Sequence, residues 1–158
     1  MFIISCGESI PYRERKEICY KALDIEKEAG FKIPEEDYKL LDKILYEIEK
    51  EIVIKKSYTE DEAKEILRKI GFIIRRNNIN NYDGIDFYLL SKSIQGRKFT
   101  CLPFVLIFIS IAERFQLPLW GISAPDHIFV LWEDKSNNIY WETTLNCSLK
   151  INAIINYF

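Results

Sequence analysis

Apolar residues recur at two different spacings along this chain, and the change of spacing divides it. Over the first 100 residues they recur at helical intervals between charged positions. Ser9-Ile10-Pro11 reads as a helix start with proline in the first turn, Ile18, Ala22, Ile25 and Ala29 as its inward stripe, and Gly30 as its C-terminal cap. Pro34 opens a second helix, with Glu35, Glu36 and Asp37 facing its dipole and Leu41, Ile44, Leu45, Ile48 and Ile52 inward. Thr59 and Glu62 form a capping box for a third, which buries Ala63, Ile66, Leu67 and Ile70 and is expected to stop at Gly71.

Phe72-Ile73-Ile74 reads as a short strand or an inward linker, Arg75-Arg76-Asn77-Asn78 as exposed, and Asp83-Gly84 as a turn. Ile85 to Ile94 predicts a fourth helix with Leu89, Leu90 and Ile94 inward, ended by Gln95-Gly96-Arg97-Lys98. Leu102 to Phe115 is apolar almost all round, as a helix buried on most sides would be, and Leu117-Pro118 breaks it. Leu119–Ser123, His127–Glu133 and Ile139–Thr144 then read as strands, with Asp134-Lys135-Ser136-Asn137 as a hairpin turn. The tail from Ser148 to Phe158 carries no assignment. No repeat or linker divides the chain, so 1–158 reads as one domain, with a helical part over 1–80 and a core over 85–146.

Charge sharpens that division. Residues 1–100 carry 19 basic and 19 acidic side chains, residues 101–158 only 3 and 5, so the second part is the dry core. The net charge of −2 gives no electrostatic case for nucleic acid. No apolar run is long enough for a membrane span. Four cysteines without CxxC spacing and a single histidine leave no zinc set, and no cofactor is expected. Reduced thiols suit a cytoplasmic location. Ile3-Ile4-Ser5-Cys6 would be a lipoprotein cleavage box only if the true start lay upstream.

The candidate chemistry lies in the second part. Cys101 stands at the start of the apolar helix, where unpaired amides and the helix dipole stabilise a thiolate. A buried, inert cysteine is the alternative, and Cys19 fits it. If the hairpin loop is Asp134–Asn137, Glu133 pairs with Asn138 and Phe129 faces Glu142. His127 is then a diagonal neighbour of Glu142 on one face, about 7–8 Å away at the backbone. A slip of one residue would put Glu142 on the opposite face. Thiol, imidazole and carboxylate in this order suit nucleophilic catalysis, with the carboxylate orienting the ring.

These residues carry a resemblance. Cys101, Ala112-Glu113-Arg114-Phe115-Gln116-Leu117-Pro118, Ala124-Pro125-Asp126-His127-Ile128-Phe129-Val130 and Glu142-Thr143-Thr144 follow in order the blocks of small bacterial transglutaminase-like proteins. That superfamily belongs to the papain-like cysteine enzymes. The resemblance covers about residues 85–146. It implies an α+β fold in which N-terminal helices pack on a small antiparallel β-sheet, with the nucleophile at the N-terminus of a buried central helix. It also implies Cys101 as nucleophile, His127 as general base and Glu142 as orienting acid, acting on an amide or ester; a protein or peptide substrate is compatible with it, but the fold does not choose one. For the oxyanion, the Cys101 backbone amide is one candidate donor. Gln95, six residues upstream, has the spacing of the papain-type glutamine. The chain departs from the pattern at Phe99-Thr100, where relatives carry a small pair such as Gly-Asn, and at Phe115-Gln116 in place of Leu-Gly. A superfamily with inactive members leaves a second reading, a module that binds a protein or peptide without chemistry.

Overall fold

The structure, a computed structural model, describes residues 14–150. The expected helix start at Ser9-Ile10-Pro11, the Ile3–Cys6 segment and the tail from 151 lie outside the described residues. The architecture is α+β. Its helices are α1 (Ile18–Glu28), α2 (Glu35–Glu51), α3 (Glu60–Arg76), α4 (Leu90–Gly96) and α5 (Cys101–Phe115). The strands are β1 (Asn80–Asn81), β2 (Lys98–Phe99), β3 (Leu119–Ala124), β4 (His127–Glu133), β5 (Asn138–Glu142) and β6 (Cys147–Ser148). The last four form an antiparallel sheet in the order β3-β4-β5-β6, while β1 and β2 make a small parallel pair. Helix α5 packs on β3 and β4, with α1 on its other side. Phe104, Phe108, Trp132 and Trp141 are buried in the core between the layers.

Three helices differ from expectation. In α1 the buried positions are Cys19, Tyr20, Leu23 and Glu26, and Ile25 is 65% exposed. The stripe is rotated because Glu26 is used inward: its two carboxylate oxygens accept the backbone N–H groups of Leu90 (2.7 Å) and Ser91 (2.9 Å) at the start of α4. In α3 the Thr59–Glu62 capping box is present, but the helix runs past Gly71 to Arg76. Ile73 and Ile74 continue the buried stripe, so Phe72-Ile73-Ile74 is helix and not strand or linker. Gly71 answers a close approach instead of a stop, since a Cβ there would lie 2.0 Å from Asn146 Oδ1. The expected fourth helix splits into a 3-10 turn, Ile85–Phe87, and α4.

Helix ends are capped across the fold. The start of α1 has no side-chain cap of its own. Glu113 Oε2 accepts the N–H of Ile18 (2.7 Å) and Ser110 Oγ that of Cys19 (2.9 Å), both from α5. Arg114, also on α5, donates to Glu17 at 2.6 Å with both side chains nearly buried. Thus α5 caps α1, α1 caps α4, and α4 leads into β2 and back to α5. Such satisfaction of terminal amides is what buried helix ends require.

Candidate active site

Cys101 is the first residue of α5. The chain arrives there from α4 through Arg97, whose φ of 54° turns it back, and then along β2. The N–H groups of Asn80 and Tyr82 donate to Arg97 O and Phe99 O, both at 2.9 Å, which fixes β2 beside β1. Thr100, the N-cap residue of α5, makes no side-chain cap; its hydroxyl donates to Phe87 O at 3.1 Å. The Thr100 side chain therefore leaves the first-turn amides of α5 uncapped. Cys101 itself is half-buried. Cys19 is fully buried, and burial pushes its thiol up to about 12, as an inert core cysteine should be.

His127 opens β4 and Glu142 ends β5. The turn between them is fixed by Asp134, whose Oδ1 accepts the N–H groups of Ser136 and Asn137 at 2.8 Å each. Glu133 pairs with Asn138, the expected register. Continued to the strand ends, that register sets Phe129 opposite Glu142 and His127 diagonal to it. The side chains meet there: His127 Nε2 contacts Glu142 Oε2. Glu142 is 2% exposed. Its other oxygen, Oε1, accepts from Thr144 N (2.9 Å) and Thr144 Oγ1 (2.6 Å). The carboxylate is thus held at both ends, one on the ring and one on its own turn.

Arg75, expected in an exposed stretch, and Asn81, which carried no assignment, support that turn. Arg75 Nη2 donates to Thr143 O (2.8 Å) and Thr144 O (2.7 Å), and Nη1 to Gly71 O (2.8 Å). Its guanidinium lies 4.7 Å from the Phe104 ring, and burial lowers its pKa. Arg75 is consequently not part of an exposed polar stretch, and neither is Asn77, which is buried against Glu47 and Ile73 O. Asn81 Nδ2 donates to Thr144 O at 2.6 Å. The one advance sign of this support was Thr144, whose hydroxyl two residues after Glu142 can bond it locally.

Cys101, His127 and Glu142 line one cleft of about 480 Å³ together with Asn81, Tyr82, Asp83, Tyr88, Thr100, Asp126 and Thr144. No lysine or arginine is among its lining residues. Gln95 is not brought to it: its amide nitrogen donates to Asp37 Oδ2 (2.7 Å) and Lys32 O (3.1 Å). The side-chain oxyanion donor expected at Gln95 is therefore corrected, because α4 turns that side chain toward α2. A second concavity of about 460 Å³, beside Tyr58 and Ile66, holds neither thiol nor imidazole. Among the described residues no group of three His, Cys, Asp or Glu side chains is placed to hold a metal ion, and no helix is long and apolar enough to cross a membrane. Compared with known proteins, the chain matches no family model, no curated protein and no solved structure.

Proposed function

We propose that this chain is a thiol acyl-transfer or hydrolytic enzyme of transglutaminase-like type, with Cys101, His127 and Glu142 as its triad. The observation that carries the reading is the His127 Nε2–Glu142 contact at a buried carboxylate, in the cleft that also holds Cys101. With Nε2–H donating to Glu142, the neutral ring keeps its lone pair on Nδ1, the nitrogen able to accept the thiol proton. The Cys101 sulfur, on the first residue of α5, gives up that proton and becomes the nucleophile. It attacks an amide or ester carbonyl, and the leaving group departs with the proton held by His127. Water then releases the acid, or an amine takes the acyl group.

Alkylation by iodoacetamide at pH 7, followed by mass spectrometry in a Cys6→Ser, Cys147→Ser background, tests this. Cys101 is expected to label well ahead of Cys19, and His127→Ala to slow it by roughly 10²-fold or more, the usual worth of a positioned base. Labelling no faster than an ordinary thiol, and indifferent to His127→Ala, would overturn the enzyme reading and favour a module that binds its partner without chemistry.

A further inference from the structure

A thiol acyl transfer needs more than a nucleophile and a base. When the sulfur–carbon bond forms, the carbonyl π pair moves onto oxygen, and that oxyanion needs donors aimed at it in advance. The Cys101 backbone amide can supply one. With Gln95 engaged by Asp37, the second donor has to come from elsewhere.

The geometry points to Asn81 as that second donor, an inference that rests on the acyl-transfer reading of the cleft. Its carboxamide is the only one among the cleft-lining residues. Its position is set by pairing: β1 runs parallel to β2 with Asn81 opposite Phe99, two residues before Cys101. Asn81 therefore stands beside the strand that delivers the nucleophile. Its orientation is set by a hydrogen bond, since Nδ2 donates one hydrogen to Thr144 O at 2.6 Å. A primary amide carries two N–H groups, so the bond that fixes the side chain leaves a second donor for a substrate oxygen. Donors held before the reaction need no rearrangement when charge develops, which is where such groups have their effect.

The other polar groups of the cleft serve less well. The Thr100 hydroxyl is given to Phe87 O and the Thr144 hydroxyl to Glu142. The Tyr82 ring packs edge-on against Phe87 and beneath Lys98, and each of the two tyrosines has a single O–H to give, with no second donor hydrogen to hold it in place. Asp83, Asp126 and Glu142 are carboxylates and repel an oxyanion. Asn81 alone among these side chains is a carboxamide, with one N–H tied to Thr144 O and a second to give.

In the step assigned to Asn81, Cys101 Sγ adds to the carbonyl carbon and the oxygen takes the electron pair. Asn81 Nδ2–H and Cys101 N–H then donate to that oxygen. The pair returns as the leaving group departs, protonated from His127 where its basicity requires. Asn81 holds no proton that is transferred.

Two reactions at one sulfur separate this role from a structural one. Alkylation by iodoacetamide displaces iodide and forms no oxyanion; acylation by p-nitrophenyl acetate passes through one. In Asn81→Ala, Arg75 still holds both carbonyls of the Thr144 turn, so the alkylation rate of Cys101 is expected to fall by no more than a few-fold. The p-nitrophenolate burst should slow by about 10²–10³-fold, the usual loss of one oxyanion donor. An unchanged burst overturns the assignment. So does an equal fall in both rates, which would mean that Asn81 only latches the Thr144 turn. Should the alanine variant not fold, Asn81→Ser is read by the same ratio, because its short hydroxyl cannot reach both Thr144 and the substrate oxygen. Slow alkylation in the parent protein is the separate result that would remove the acyl-transfer reading, and this inference with it.

Discussion

Arg75 carries a charge into a part of the molecule where, among the described residues, no carboxylate pairs with it. Its guanidinium bonds three carbonyl oxygens and lies over Phe104, and burial alone is what lowers its pKa. Replacing it with methionine removes the desolvated charge and keeps an apolar stem over the ring. Of the three carbonyls, Gly71 O remains within α3 and Thr144 O keeps Asn81. Thr143 O is the acceptor left without this partner, and an orphaned buried acceptor costs about 1–3 kcal/mol. The expected loss is therefore about 2 kcal/mol rather than the sum of three charged hydrogen bonds. For a chain of this size that lowers Tm by roughly 4–8 °C. The turn that holds Glu142 through Thr144 should loosen with it, so the Cys101 alkylation rate should fall as well. Lysine at this position keeps the charge but cannot fork between two carbonyls, and should recover only part of either quantity. Urea unfolding followed by circular dichroism gives the first number, and labelling kinetics the second. A methionine variant within about 0.5 kcal/mol of the parent at unchanged m-value would refute the reasoning, because it would show that the Thr143 carbonyl gains nothing from its partner.

Two further outcomes are expected. Glu142→Gln should keep the fold, since Thr144 can still donate to the amide oxygen, but the imidazolium loses its counter-charge and Cys101 reactivity should drop about 10-fold or more; unchanged alkylation would remove Glu142 from the site. The Glu17–Arg114 pair should make stability fall in acid. Burial pushes the Glu17 carboxyl up, but the Arg114 hydrogen bond and charge, together with the backbone N–H groups of Glu17 and Lys16, more than offset this and hold it below the ordinary value of 4.5. A depressed folded pKa contributes stability that is complete above about 4.5 and is lost as pH falls through the folded value. Glu17→Gln should therefore cost about 3 kcal/mol at pH 7, having left Arg114 buried without its partner, and should flatten the acid limb. An identical pH profile for the variant and the parent would exclude this pair as a source of acid sensitivity.

What the sequence revealed was whatever is settled within a few residues. The Thr59–Glu62 box announces α3 because both members of the cap lie in one turn. The Asp134–Asn137 turn announces the β4–β5 register because the aspartate bonds its own loop, and that register is what brings His127 diagonal to Glu142. Long-range pairings left no such trace. Apolar counting put Ile25 inward since it cannot see that Glu26 is needed at the start of α4. Gly71 resembled a stop because the neighbour that requires a glycine, Asn146, is 75 residues away. Arg75 read as exposed, and Asn81 drew no reading at all, for the same reason: their partners, Thr143 and Thr144, belong to a turn more than 60 residues on.

The chain of borrowed caps has a mechanical meaning. Ser110, Glu113 and Arg114 hold the beginning of α1, and Glu26 near its end holds α4, which feeds the strand before Cys101. Removing the first helix would strip α4 of its acceptor and strand a guanidinium on α5, so damage in α1 is felt at the thiol. The charged early helices are thus a splint for the segment that presents the cysteine, and trimming them away to obtain a smaller reactive core would unmake the core.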